Sequence, residues 1–181
     1  ITDHKPKTMV EVNGCPMLGY ILNALKYGGI KEVTICTGYK ADVIEEYCRQ
    51  KYSEMSITYI LNPDYESTNN MYSLYLARKD IHGDLLLMNA DLVFDPIVIR
   101  KLINQQGTLV AVDVGTYNEE SMKLDIRENG TIKEISKKIE PDRCFGSSID
   151  VYKICASDVD VFLKRLEYYI EVKNEKKQWT E

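Results

Sequence analysis

The sequence predicts a three-layer α/β/α domain with a mixed, mainly parallel sheet, and three observations lead there. Short β-branched runs alternate with helical periodicities through the first two-thirds of the chain. Glycine or proline marks most changes of period. After Gly107 the pattern turns to strands joined by tight turns, closed by one strong helical repeat. Such alternation favours parallel strands joined by right-handed helical crossovers, with helices on both faces. Ligand-binding residues then gather beyond the carboxyl ends of the strands.

Each element has its own signal. Pro16 opens a stretch in which Leu18, Ile21, Leu22 and Leu25 recur at helical spacing, stopped by Gly28 and Gly29. Residues 33–37 are apolar and β-branched and run into Gly38, a buried strand. Val43, Ile44, Tyr47 and Cys48 mark a second helix, and residues 57–61 a second strand that ends in the turn Asn62-Pro63-Asp64. Residues 70–79 suit a helix, 85–88 a strand, and 96–104 a helix with proline at its start. Strands are expected at 108–114, 122–127, 131–136 and 145–154, with Glu128-Asn129-Gly130 as a hairpin turn. Residues 157–170 form the last helix, with Val159, Phe162, Leu163, Leu166 and Ile170 on one face and Ser157 with Asp160 as a capping box. No internal repeat, proline-rich linker or low-complexity tract interrupts the 181 residues, so residues 1–181 read as a single domain.

Composition narrows the function. Forty-four per cent of residues are hydrophobic, which suits a packed globule. The net charge of −5 argues against a nucleic-acid surface, which needs clustered Lys and Arg. No apolar run approaches the roughly 20 residues that span a bilayer, so no membrane partner is expected. Five scattered cysteines, without a C-x-x-C pair, read as buried thiols of a reducing cytoplasm. Two histidines are too few for a histidine-rich metal site, and neither sits in a hydrolase triad motif. The first residue is Ile and the last segment looks unfinished, so both ends are expected to be incomplete.

Several residues carry two readings. Lys7, beside Pro6, is either a solvated charge or a cation placed for phosphates. Asp91, at the end of the apolar run 85–88, is either a turn residue or a hard oxygen ligand for Mg²⁺. Asp95 before Pro96 reads as a helix cap. Asn69, Asn70 and Ser73 include a cap for the helix that follows, and paired amides can also read a base edge. Lys137 and Lys138 follow a strand with period-two alternation, so one points inward; Ile135 and Lys137 share a face. The 13 tyrosines are mostly half-buried packing residues, with Tyr72, Tyr75, Tyr117 and Trp179 as candidates for a cation–π cage.

Five segments then stand in order: Lys5-Pro6-Lys7-Thr8-Met9-Val10-Glu11-Val12-Asn13-Gly14-Cys15-Pro16-Met17-Leu18; Gly29-Ile30-Lys31-Glu32-Val33 through Gly38-Tyr39; Thr68-Asn69-Asn70-Met71-Tyr72-Ser73-Leu74-Tyr75-Leu76-Ala77; Leu86-Leu87-Met88-Asn89-Ala90-Asp91; and Ile135-Ser136-Lys137. Together they resemble the nucleotidyltransferases of the glycosyltransferase-A-like fold, and among these the bacterial choline-phosphate and aminoethylphosphonate cytidylyltransferases. The resemblance implies a nucleotide-diphospho-sugar transferase-like fold and transfer of CMP from CTP to a phosphate- or phosphonate-bearing small molecule, with release of pyrophosphate. It puts Lys7 on the nucleotide phosphates, Asp91 on Mg²⁺, and Asn69, Asn70 and Ser73 on the nucleoside. Lys137 is implied for the acceptor phosphate with Lys123 assisting, and Lys138 is left as surface charge. Trp179-Thr180-Glu181 resembles the segment that brings a second carboxylate, so Glu181 is implied as a further metal ligand. One departure is plain: the family's first strand and Gly-rich loop, which should precede Pro6-Lys7, are missing from these residues. An open groove is therefore expected beside residues 33–37, and the chain by itself is not expected to turn over substrate. A sugar-1-phosphate nucleotidyltransferase shares most of these motifs and is the near alternative. A glycosyltransferase would leave Pro6-Lys7 unexplained, and a non-catalytic nucleotide-binding domain would leave Lys7, Asp91 and Lys137 without a task.

Overall fold

Proline and glycine set the first boundaries, as their chemistry dictates. The computed structural model describes residues 4–177. It begins with a 3-10 turn, Lys7–Met9, and a short antiparallel hairpin of β1 (Glu11–Val12) and β2 (Cys15–Pro16). The hairpin turns at Asn13-Gly14, both at positive φ (50° and 79°), the backbone that Asn-Gly accepts most readily. Pro16 then leads into α1 (Met17–Tyr27), where Leu18, Ile21, Leu22 and Leu25 are all buried. The helix stops at Gly28, where a Cβ would stand only 2.6 Å from Ile99 Cγ2, so the missing side chain lets a later helix close on this one.

β3 (Glu32–Thr37), α2 (Ala41–Lys51) and β4 (Ser56–Leu61) form a βαβ unit whose strands pair in parallel, Val33 opposite Ile57 and Ile35 opposite Tyr59. There follow α3 (Asn70–Ala77), β5 (Leu85–Met88), α4 (Ile97–Asn104), β6 (Leu109–Val114), β7 (Lys123–Ile126), β8 (Ile132–Ser136), β9 (Gly146–Ile154) and α5 (Ala156–Glu167). The long strand β9 organises this half. β6 lies along one edge of it, and the other edge is shared end to end by β5 (Leu85 opposite Ile154 to Met88 opposite Val151) and β7 (Lys123 opposite Ser147). β8 pairs outside β7.

The three-layer arrangement and the presence of both strand directions are as expected, but among the described residues the parallel pair and the five antiparallel strands form separate ladders, and the balance is not mainly parallel. β3–β4 is parallel, whereas every ladder made by β9 is antiparallel. Local patterning could not reveal this, because β9 returns from far along the chain to pair with β5. Leu22, Ile44, Ile99 and Val151 share the core under α1, α2 and α4. On the opposite face Met71 and Leu74 of α3 meet Leu166 and Ile170, with Leu87 packed against them.

Among the described residues no ladder joins β3 to β5. An open groove of about 960 Å³ runs between them, lined by Val33, Ile35 and Cys36 on one side and Leu86, Met88 and Ala90 on the other. This is the opening expected beside residues 33–37. No helix among the described residues is long and apolar enough to cross a membrane.

Three local expectations are corrected. Ser157 does not cap the last helix; α5 starts at Ala156, and its backbone N–H donates to Asp84 Oδ1 at 2.8 Å, a carboxylate brought from the turn before β5. The helix also ends earlier than expected and runs on as a π-helical turn, Tyr168–Val172. The cysteines are free, but only Cys48 is fully buried, and Cys36 is exposed along the open groove.

The Ala156 N–H and the Lys153 ammonium hold the Asp84 carboxyl below its usual value. A carboxylate depressed in this way stabilises above its unfolded pKa and loses that contribution as pH falls through the folded one. The stability gap between wild type and Asp84→Asn should therefore be present at neutral pH and narrow as pH falls below the ordinary aspartate range of about 4, read by urea denaturation. Leu22, which is 0% exposed, should cost about 2–5 kcal/mol on truncation to Ala in the same assay. A loss under about 1 kcal/mol would contradict its place in the core.

Candidate functional site

β5 ends at Met88, and the next three residues are held by two other parts of the chain. Asn89 Nδ2 donates to Asp150 Oδ2 at 3.2 Å. The Thr8 hydroxyl donates to the Ala90 carbonyl. Lys7 forms an ion pair with Asp91. The 3-10 turn Lys7–Met9 explains the arrangement: it buries Thr8 and Met9 and leaves Lys7 outside. The two motifs expected to carry chemistry, distant in sequence, thus meet at the carboxyl end of β5.

The Lys7 side chain is 71% exposed and that of Asp91 29%. An ion pair this open contributes about 0–1 kcal/mol to stability, so either partner can be exchanged for a ligand charge at small cost. Asp91 offers one hard oxygen donor at a strand end. Among the described residues no group of three His, Cys, Asp or Glu gathers to enclose a metal. This donor set fits Mg²⁺, which is commonly held by one or two carboxylates with substrate phosphates and water, and does not fit a caged zinc site. Glu181 and Trp179 lie outside the described residues. Asp95 is a cap, as expected, its Oδ1 accepting the Ile97 N–H at 2.9 Å.

The Asn69–Ser73 segment divides between structure and site. Asn69 caps α3, its Oδ1 accepting the Asn70 N–H at 2.9 Å, and its Nδ2 donates to the Lys177 carbonyl at 3.4 Å. Asn70 and Ser73 line the open groove together with Asn89 and Ala90, one residue short of Asp91. Ser73 is fixed by Asn62, which is 2% exposed and donates through Nδ2 to Ser73 Oγ and Thr68 Oγ1, each at 3.0 Å. Sequence reasoning took Asn62 only as part of a turn. Its place at the carboxyl end of β4 was the available signal.

The lysines need correction. Lys123 is fully buried, and its ammonium donates to the carbonyls of Asn118 (3.1 Å) and Glu119 (3.2 Å) while lying 4.9 Å from the Tyr117 ring centroid. It braces the loop before β7 instead of assisting at an acceptor phosphate. Lys137 and Lys138 are both exposed, and β8 stops at Ser136. The Ser136 hydroxyl accepts the Lys138 N–H at 3.1 Å and turns the chain, so strand alternation does not separate the two lysines. The last pair of the ladder is Ser136 with Lys123, so both lysines lie just past the end of β8, at the end of that strand next to the start of β7. The Met122 carbonyl accepts the Ser148 N–H at 2.7 Å, so β7 begins on β9 three residues from the last β5 pair, Met88–Val151.

The tyrosine cage does not form among the described residues. Tyr72 and Tyr75 stack at 6.0 Å, and Lys176 and Arg78 already cover them at 4.9 and 3.8 Å from the ring centroids. Tyr117 faces Lys123. A further residue went unnoticed in the sequence: Asp150, a non-glycine residue at φ 56° inside β9, whose carboxylate meets Asn89.

Residues 3–127 match the MobA-like NTP transferase domain. The chain is 35% identical over 101 residues to the CMP-5′-(3-aminopropyl)phosphonate synthase of Streptomyces rubellomurinus, covering 56% of this chain and 16% of that protein. It is 30% identical over 118 residues to the CTP:phosphoglutamine cytidylyltransferase of Campylobacter jejuni, covering 62% of this chain and 46% of that protein. The chain thus spans less than half the length of these two curated relatives. The solved structure of the CTP:phosphocholine cytidylyltransferase of Streptococcus pneumoniae superposes with a TM-score of 0.77 at 22% identity, over 99% of this chain and 74% of that one, a likeness of fold.

Lys123→Met keeps the stem and removes the charge from its carbonyl acceptors. It should lower stability by about 2–3 kcal/mol in urea denaturation, the scale of buried hydrogen bonds to a charged group. An unchanged midpoint would contradict the bracing role.

Proposed function

Because the chain belongs to the MobA-like NTP transferase domain family, we propose that it transfers CMP from CTP to a phosphate- or phosphonate-bearing small molecule, releasing pyrophosphate. The observation that carries this reading is the Lys7–Asp91 pair at the end of β5, exposed and tied in place by Thr8. The two relatives named for CTP or CMP chemistry, on a phosphonate and on phosphoglutamine, support the nucleotide and the acceptor class.

The reaction is an in-line attack. An acceptor oxygen forms a bond to the α-phosphorus as the bond to the bridging oxygen breaks, and pyrophosphate takes the electron pair. The acceptor oxygen is already anionic near neutral pH, so the site needs no general base. Its task is to bring two anions together in line and to offset their repulsion. Lys7 leaves Asp91 for the nucleotide phosphates, which frees the Asp91 carboxylate to hold Mg²⁺. Mg²⁺, when bound, supplies Lewis-acid stabilisation of charge on the phosphate oxygens. Asn70 and Ser73, which line the groove, take the nucleoside side, and Lys137, at the end of β8, receives the acceptor phosphate.

Asp91→Asn in the full-length protein should lower kcat about 100-fold or more at saturating Mg²⁺, as expected where charge matters mainly in the transition state. Near-normal turnover would refute the assignment. Lys137→Ala should raise the acceptor KM at least about tenfold and leave the CTP KM within about twofold, whereas Lys138→Ala does little to either. The reverse pattern would transfer the acceptor role to Lys138.

A further inference from the structure

β9 departs from regular pairing at one place, and it lies against the end of β5. Between the pairs Val112–Ser148 and Val110–Tyr152, β6 advances two residues while β9 advances four. The extra length contains Asp150, whose φ of 56° is a backbone that residues other than glycine, asparagine and aspartate seldom adopt. Its own N–H donates to Ser148 Oγ at 3.0 Å, which holds the left-handed turn. The turn re-aims the carboxylate across to β5. Oδ2 accepts from Asn89 Nδ2 at 3.2 Å, and Oδ1 accepts from the Tyr152 hydroxyl at 3.3 Å. Bulges beside strand ends often serve to redirect one side chain in this way.

The regular ladder between β5 and β9 ends at Met88–Val151, and the Asn89 N–H reaches the Asp150 carbonyl only at 3.4 Å. Beyond that point the strand is tied to β9 by this long backbone hydrogen bond and by the Asp150 carboxylate on the Asn89 side chain. Asp91 lies two residues further on. We propose that Asp150 is a positioning residue: through Asn89 it fixes the strand end that presents Asp91, and so sets the affinity of the site for a divalent cation with its nucleotide. This rests on the function proposed above for Asp91, and it concerns a residue that does not itself touch the substrate.

The test separates backbone from carboxylate. Asp150→Gly keeps the left-handed conformation and removes the acid, Asp150→Asn keeps one acceptor oxygen, and Asn89→Ala removes the partner. Binding of Mn²⁺ with CTP to the full-length protein is read from the free Mn²⁺ electron paramagnetic resonance signal, without turnover. Asp150→Gly and Asn89→Ala should each weaken binding about tenfold, the low end for residues that orient a metal ligand, while Asp150→Asn stays within about threefold. The Asp150→Gly, Asn89→Ala double variant should be no worse than either single one, as expected of two groups acting through one contact. Amide exchange at Asn89, Ala90 and Asp91 should quicken in Asp150→Gly, with β3 and β4 unchanged. Wild-type exchange at these amides overturns the proposal, as does additive loss in the double variant. Weakened Mn²⁺ binding with unchanged exchange would also overturn it, by making Asp150 a direct ligand. If wild type fails to bind Mn²⁺ with CTP, the proposed function falls, and the exchange readout still decides whether Asp150 fixes the strand end.

Discussion

The meeting of Lys7 with Asp91 at the carboxyl end of β5 is the contact on which the functional account depends. Its importance is not energetic in the folding sense, because an exposed ion pair contributes about 0–1 kcal/mol. It matters for the proposed reaction because it poises opposite charges where that reaction brings in ligand charges of both signs. The pair acts as a placeholder: phosphate can replace Asp91 as the partner of Lys7, and a divalent cation can replace Lys7 as the partner of Asp91. Such an exchange requires the carboxylate to stay put while its partner leaves. The Thr8 hydroxyl on the Ala90 carbonyl and Asp150 on Asn89 supply that constraint from two separate segments.

The rest of the fold serves this strand end. Burial of Leu22, Ile99 and Val151 locks α1 and α4 onto the sheet, and α1 in turn fixes the hairpin and the Lys7–Met9 turn at its head. β9 holds β5 and β7 on the same edge, so the residues after β5 run toward the start of β7. Lys123, buried at that start, braces its loop, while Lys137 is carried to the rim by β8. The open groove beside β3 places Asn70 and Ser73 of α3 across from Asn89 and Ala90.

Much of this was legible in the sequence, for reasons that can be named. α1 was bounded by Pro16 and Gly28, residues whose backbone chemistry admits few alternatives. Lys7 and Asp91 stood out because each sits beside a strong local signal, a proline turn and an apolar run. The antiparallel pairing of β5 with β9 was not legible, since neither strand carries a mark of its distant partner. Strand alternation misled at Lys137 because the strand stops at Ser136, where a side-chain hydroxyl takes over a backbone donor. Lys123 looked like an available cation because nothing local announces that its ammonium is taken up by neighbouring carbonyls. Asp150 gave no sign at all: an acidic residue within a strand has no pattern until its φ is known.

In the proposed function this strand end handles a nucleoside triphosphate together with an anionic acceptor. The most direct measurement is pyrophosphate release by the full-length protein with CTP, UTP, GTP and dTTP, each with and without a panel of phosphate- and phosphonate-bearing acceptors. Release with CTP that depends on both the acceptor and Mg²⁺ is the expected result. Equal release without any acceptor, or release that requires a sugar 1-phosphate and prefers another nucleotide, would contradict it.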